Sequence, residues 1–142
     1  MIEKGKDNPI LRKKTQTINK IDESILNLAK QMIEIMEKAN GIGLAANQIG
    51  KNKRMFVLPK DLLDKQIFIN PEIKLSKRTQ IMKEGCLSLL GLEIPVKRST
   101  TLKIKALDEN NKEFKLKVKG IPARVIQHEI DHLNGKLITD YE

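Results

Sequence analysis

The sequence predicts an α+β fold, with mainly antiparallel strands packed around a metal-binding helix and with a second helix near the N-terminus. Three patterns support this expectation. Apolar residues recur at helical spacing over residues 23–39, apolar and basic residues alternate over 102–118, and a second helical pattern follows Gly120. A chain of 142 residues without a visible linker or repeat is expected to form one domain, residues 1–142.

The first helix is expected to begin near Asp22 and to stop at Asn40-Gly41. An aspartate at this position can accept hydrogen bonds from the free N–H groups of the first turn, and a glycine favours the end of a helix. The preceding residues 1–20 are expected to be irregular, anchored by the Ile10-Leu11 pair. The apolar face of the helix is predicted to pack in the core and comprises Ile25, Leu28, Met32, Ile35 or Met36, and Ala39.

Strands are expected after Gly50. The predicted strands are 55–58, 67–69, 102–107 and 114–118. Asn70-Pro71 is expected to end the second of them, and the polar residues 108–111 are expected to turn a hairpin between the last two. Both hairpin arms alternate apolar with basic residues, so one face should pack and the other should contact water.

The second helix is predicted to follow Gly120 and to run to about Leu133. Proline is tolerated in the first turn of a helix, which suits Pro122. Asn134-Gly135 is the expected C-terminal cap.

The composition indicates a globular protein, with 39% apolar and 32% charged residues. Neither a membrane span nor a signal peptide is visible, so the expected location is the cytoplasm, with an organelle as the alternative. The net charge of +9 raises the question of a polyanionic partner, but the lysines are scattered and 3% aromatic residues are too few for base stacking. No membrane partner and no specific nucleic acid are expected.

The only two histidines of the chain lie four residues apart, in the sequence His128-Glu129-Ile130-Asp131-His132. Four residues is just over one helical turn, so both imidazoles project from the same face and can reach one metal ion. Glu129 can reach a water on that ion without being a ligand itself. The alternative is two surface histidines that share a helix face by coincidence.

A third ligand is expected from the chain before this helix, because no histidine follows His132 and Glu142 is a poor candidate. Cys86 is the only thiol, and the neighbouring Gly85 would allow backbone to approach a ligand. One cysteine and two histidines leave a fourth position for water, which is typical of a catalytic site. Taken alone, Cys86 would be interpreted as a small buried apolar residue.

Three separated segments resemble the three signatures of peptide deformylases. They are GIGLAANQ at residues 41–48, EGCLS at 84–88 and QHEIDH at 127–132. Their order and separations also match that family, and the resemblance covers nearly the whole chain. Three departures are visible. Leu90 stands where the family often has proline, and Glu93 lies near the position where some bacterial members carry an arginine. The chain ends at Tyr141-Glu142 without the C-terminal helix of many bacterial members, so docking on the ribosome through that helix is not expected.

The resemblance implies a role for each matching residue. Cys86, His128 and His132 would ligate the metal, and Glu129 would act as general base and acid. Gln48 and the backbone N–H of Leu87 would stabilise the formyl oxygen. The backbone at Gly43 and Gly85 would pair with an extended substrate, and Ile42 and Val125 would line the pocket for the methionine side chain.

The function implied by the resemblance is metal-dependent hydrolysis of the N-formyl group from the formylmethionine of nascent polypeptides, with release of formate. The expected metal is one Fe²⁺ ion in the cell, which zinc, nickel or cobalt can replace in a purified sample. The expected partners are the formyl-Met peptide and, transiently, the ribosome. Three alternatives remain open: a related amidohydrolase or peptidase that acts on a different N-acyl peptide, a binding protein that keeps the fold without catalysis, and a nucleic-acid binder driven by the positive charge.

Overall fold

A computed structural model describes residues 1–142 and confirms the α+β class, with helices and two antiparallel sheets. The helices are α1 (Pro9–Arg12), α2 (Glu23–Lys38) and α3 (Ile121–Leu133). The strands are β1 (Leu44–Ala45), β2 (Met55–Val57), β3 (Ile67–Leu75), β4 (Thr79–Glu84), β5 (Ile94–Ser99), β6 (Thr101–Leu107) and β7 (Glu113–Lys119). Two 3₁₀ turns cover Ala46–Ile49 and Ile138–Tyr141. None of the helices combines the length and the apolar character that crossing a membrane requires.

Five strands form the larger sheet in the order β1-β2-β3-β6-β7, and β4 pairs only with β5 in a second sheet. Helix α3 packs on one face of the larger sheet through a buried cluster that includes Phe56, Phe68, Ile104 and Ile126. Helix α2 packs on the opposite face at the β1–β2 end, where Met32 contacts the core formed with Met55 and neighbouring residues. The larger sheet therefore lies between the two long helices.

Both long helices lie where the sequence predicts them. Asp22 caps α2 by accepting a hydrogen bond from the N–H of Ile25 at 3.2 Å. The predicted apolar face is buried from Ile25 to Met36, but Ala39 is only half-buried and lies just past the end of the helix. Helix α3 has Pro122 in its first turn, and Gly135 follows its end with a φ of 77°, which glycine adopts without strain. Within residues 1–20, Leu11 is fully buried as expected, although a short helix, α1, forms where the sequence predicted irregular structure.

The prediction that β3 ends at Asn70-Pro71 is wrong, because the strand continues to Leu75 through a bulge. The register of β3 against β6 shifts between Ile69 and Glu72. The Asn70 side chain accepts from the N–H of Ile18 at 2.9 Å and donates to its carbonyl at 2.8 Å, which gives the bulge partners outside the sheet. Proline lacks an N–H and is tolerated at such a bulge.

The second sheet was not predicted as strands. Strand β4 is mostly exposed and shows no apolar alternation, while β5 carries Pro95 among alternating residues. Helix α3 is fixed to this sheet by the side chain of Gln127, whose Oε1 accepts from the N–H of Ser99 at 3.0 Å and whose Nε2 donates to the carbonyl of Ser99 at 2.8 Å. One helix thus contacts both sheets, and the site described below lies where they meet.

Candidate metal centre

A cleft of about 640 Å³ opens between the segment that follows α2, the end of β4 with its loop, and the first half of α3. Every residue predicted for substrate binding or catalysis lines it, namely Ile42, Gly43, Gln48, Gly85, Leu87, Val125 and Glu129. Cys86 and His128 also line the cleft, and His132 lies beside them, fully buried. Three segments distant in the chain therefore converge on one place.

The three predicted metal ligands form one cluster. The Nε2 atoms of His128 and His132 lie 3.1 Å apart, and the Sγ atom of Cys86 lies 3.3 Å from Nε2 of His132. All three donor atoms lie within 4.8 Å of one another. Histidine nitrogens at about 2.0–2.1 Å and a thiolate at about 2.3 Å from one centre require separations of this order, so the donor set fits a single divalent ion.

The fit extends to the orientation of His128. Its Nδ1 atom lies 2.9 Å from Oε1 of Glu84, which favours the form that donates from Nδ1 and leaves Nε2 free to bind a metal. Glu84 is buried and is held in turn by Arg98, through bonds of 3.0 and 2.9 Å, and by Arg124. Burial tends to raise the pKa of Glu84, but the hydrogen bonds from His128 and Arg98 lower that pKa to about 2. A charged carboxylate therefore orients the first histidine.

Glu84, Arg98 and Arg124 form a buried network for which the sequence predicted no role. Arg98 also bonds to Asp131 and to the hydroxyl of Tyr141, at 3.1 Å, and that hydroxyl donates to Asp131 at 2.6 Å. Glu84 lies in the second signature and Asp131 in the third, so the sequence marked both positions. Nothing in the sequence pairs them with Arg98 or Tyr141, because the contacts join segments far apart in the chain.

Glu129 is the one carboxylate of the cleft that lies close to the ligands without bonding to them. The residue is 3% exposed, and its Oε1 atom has no hydrogen-bond partner in the protein. Burial raises the pKa of Glu129 to about 7, although the positive charge of His128 opposes this shift. A buried oxygen without a partner is costly unless a ligand or water bonds to it. The arrangement leaves this carboxylate available to a molecule in the cleft.

Two residues that line the cleft, Gln48 and Leu87, carry hydrogen-bond donors. The side-chain oxygen of Gln48 accepts from the N–H of Ala45 at 3.0 Å, and this turns its Nε2 group towards Ser88, at 3.1 Å, and Cys86, at 3.9 Å. The backbone N–H of Leu87 makes no hydrogen bond within the protein. Both groups can therefore donate to an oxygen near the cluster.

Gly43 lies so close to Glu129 that a side chain does not fit. A Cβ atom at this position would lie 2.6 Å from Oε2 of Glu129. At Gly85, by contrast, the nearest atom to a Cβ would be the carbonyl oxygen of Leu92 at an ordinary 3.5 Å. The backbone of the first signature segment therefore lies against the carboxylate of Glu129 in the third signature segment.

We expect Gly43→Ala to lower kcat/KM for the reaction of this site by at least tenfold. The added methyl group must displace the Glu129 carboxylate, and a displacement of about 1 Å can cost roughly a hundredfold in rate. Gly41→Ala is the matched control, because its Cβ would meet the flexible end of the Leu87 side chain, at 2.8 Å. Steady-state kinetics and metal analysis of both variants test this; equal losses of activity would contradict it.

The comparisons with known proteins agree on one family. The family model described as polypeptide deformylase matches residues 3–141. Peptide deformylase 1 of Clostridium perfringens is 49% identical over 139 residues, which is 96% of this chain and 93% of that protein. The peptide deformylase of Dictyoglomus thermophilum is 46% identical over 134 residues, 94% of this chain and 86% of that protein. Among solved structures, peptide deformylase from Thermotoga maritima superposes with a TM-score of 0.93 at 37% identity, covering 99% of this chain and 95% of that one.

Proposed function

This chain belongs to the peptide deformylase family, a family of metallohydrolases, and from that premise we propose how its residues remove the N-formyl group from nascent polypeptides. The reaction is hydrolysis of a linear amide, which releases formate and leaves a free amino group on the N-terminal methionine. The observation that carries the proposal is the convergence of Cys86, His128 and His132 on one cleft beside the buried Glu129.

We propose that Cys86, His128 and His132 hold one divalent metal, Fe²⁺ in the cell. Such an ion, when bound, lowers the pKa of a water ligand to about 7 and so supplies a nucleophile at neutral pH. One thiolate and two imidazoles suit a soft or borderline metal, which is why zinc, nickel and cobalt are expected to bind the same donors in purified protein.

Glu129 is proposed to move the proton. The carboxylate is buried beside the three proposed ligands and its Oε1 has no partner in the protein, so it can accept a proton from the attacking water and then donate it to the departing amine nitrogen. The bond from the water oxygen to the formyl carbon forms first, and the bond from that carbon to nitrogen then breaks. Formate leaves with the water oxygen, and the proton ends on the peptide amine.

Gln48 and Leu87 are proposed to stabilise the negative oxygen that forms on the formyl carbon. The Gln48 amide is held in place by Ala45, and the N–H of Leu87 is free to donate. Donors that are already aligned need no reorganisation when the charge forms, which is the source of their effect on rate.

The substrate is proposed to bind as an added strand in the cleft. Strand β4 pairs with β5 along one edge only, so its other edge is available, and the N–H groups of Gly43 and Gly85 make no hydrogen bonds within the protein. Ile42, 63% exposed, and the buried Val125 line the same cleft and are proposed to contact the methionine side chain. Because the substrate is a nascent chain, the cytoplasm beside the ribosome is the proposed place of action.

A formate-release assay tests the proposed function. Metal-loaded protein should release formate from formyl-Met-Ala-Ser and should act weakly on acetyl-Met-Ala-Ser, because a pocket sized for hydrogen on the carbonyl carbon rejects a methyl group. Removal of the metal with a chelator should stop formate release, and adding the metal back should restore formate release. Equal rates on both peptides would instead favour an amidohydrolase with a different acyl substrate.

Gln48→Met should lower kcat for formate release by about a hundredfold, because methionine keeps the size of the side chain but cannot donate a hydrogen bond. Ser88→Ala is the matched control, since it removes a partner of the same Gln48 amide without removing the donor. Metal content should stay unchanged in both variants. A Gln48→Met enzyme with normal kcat would exclude the proposed role of the amide.

A further inference from the structure

The outer face of β3, β6 and β7 carries lysines that lie directly opposite one another on neighbouring strands. The sheet register pairs Lys74 with Lys103 and Lys103 with Lys117, which makes one continuous row across three strands. Lys105 lies opposite Lys115 in the next row. We call this surface the lysine face; its members, all exposed, are Lys74, Lys103, Lys105, Lys115, Lys117 and Lys119.

Acidic residues do not balance this charge. The carboxylates that contact the lysine face belong to Glu72, 3.3 Å from Lys105, and Glu113, 4.0 Å from the same lysine. The other five lysines form no ion pair. Like charges that lie directly opposite on neighbouring strands destabilise a sheet, so the Lys74-Lys103-Lys117 row costs stability in the free protein. A bound polyanion would reverse that effect.

The lysine face is separate from the cleft. On the other side of the same strands, Leu102, Ile104 and Val118 pack in the core that contains α3. Helix α2 covers the lysine side of the sheet at its β1–β2 end, in a cluster that reaches Ile69 of β3 and Leu107 at the end of β6. No lysine of this face lines the cleft. A large molecule on the lysine face would therefore leave the metal centre open to substrate.

We propose that the lysine face binds the phosphate backbone of double-helical RNA without sequence preference. Neighbouring strands lie about 4.7–4.9 Å apart, so the ammonium groups of one row are spaced closely enough to contact successive phosphates of a nucleic-acid strand. The face carries no aromatic residue, which disfavours recognition of single strands by base stacking. It also lacks the apolar residues that basic membrane-binding surfaces insert into lipid. The choice of RNA over other polyanions rests on the proposed function, because nascent chains emerge beside RNA.

The test compares two variants that lose the same charge. The first replaces the row by Lys74→Gln, Lys103→Gln and Lys117→Gln. The control replaces three exposed lysines outside the sheet face, none of which forms an ion pair, and consists of Lys20→Gln, Lys30→Gln and Lys53→Gln. Fluorescence anisotropy with a short labelled RNA duplex gives the dissociation constant at each concentration of a KCl series.

A plot of log affinity against log salt concentration should be less steep for the row variant, with the magnitude of its slope reduced by about 2 to 3, since each lost phosphate contact removes about 0.9. The control should change the slope by less than 1. Equal changes in the two variants would show that only net charge matters and would overturn the proposal. Loss of binding to phosphatidylserine vesicles without loss of RNA binding would overturn it in favour of a membrane.

Two further measurements separate this inference from the proposed function. Formate release should be unchanged in both variants, and a loss confined to the row variant would contradict the separation of the lysine face from the cleft. The melting temperature of the row variant should not fall, because opposed charges have been removed; a clear fall would contradict the argument from register. If wild-type protein released no formate, the RNA comparison would still stand on its own.

Discussion

Glu129→Gln should lower kcat for formate release by up to about 10⁴-fold while the protein keeps its metal. Glutamine preserves the size of the side chain but cannot accept or deliver the proton. The carboxylate is buried and its Oε1 has no hydrogen-bond partner in the protein, so the replacement breaks no hydrogen bond at that atom. Steady-state formate release and metal analysis of the same preparation measure the two quantities together.

Cys86→Ala is the control for this experiment, because it should lose both metal and activity. The contrast separates a group that moves a proton from a group that binds the ion. The proton-transfer role of Glu129 would be refuted by a Glu129→Gln protein that released formate at close to the wild-type rate. A fully folded Glu129→Gln protein that no longer bound metal would instead place the carboxylate among the ligands.

Glu84→Ala should lower the free energy of unfolding by about 3–5 kcal/mol, which is a large share of the roughly 5–15 kcal/mol of a typical domain. The change leaves the guanidinium groups of Arg98 and Arg124 buried without the carboxylate that bonds to both. It also frees Nδ1 of His128, and loss of such a partner typically weakens metal binding by about 10- to 100-fold.

Urea unfolding of metal-free protein measures the first effect of Glu84→Ala, and competition with a chelator measures the second. Asp140→Asn is the matched control. It removes a carboxylate that pairs with Arg12 at 2.7 Å, but this pair is about one-third exposed, so a loss of at most about 1 kcal/mol is expected. Comparable losses in the two variants would contradict the assignment of Glu84 as the centre of a buried charge network.

The sequence predicted the cluster of three possible metal ligands because helical geometry alone fixes the relation of His128 to His132. The position of Cys86 followed from its being the only thiol, together with the resemblance of its surroundings to a known signature. The contacts of Arg98 with Asp131 and Tyr141 could not be predicted, because their geometry depends on how β5, α3 and the last turn pack.

The same contrast between local and distant information holds for the fold. Helix α2 and the β6–β7 hairpin show clear periodicity, and the structure contains them. Strand β4 has an exposed surface and one strand partner, so its sequence carries no alternation. The continuation of β3 beyond Pro71 depends on the side chain of Asn70 bonding to Ile18, which is 52 residues away in the chain. Sequence patterns reflect interactions between residues that are close in the chain, but they do not reveal a partner that is distant in the chain.

One of the three proposed metal ligands follows a strand of the smaller sheet, and the other two lie on a helix that contacts both sheets. Cys86 follows the end of β4, whereas both histidines lie on α3, beyond the whole β6–β7 hairpin. An ion bound as proposed would link the two ends of the segment between Cys86 and the histidines, and it could do so only after both sheets had formed. Binding of the metal would then stabilise the folded chain, and a cell short of the ion would hold a less stable protein as well as an inactive one.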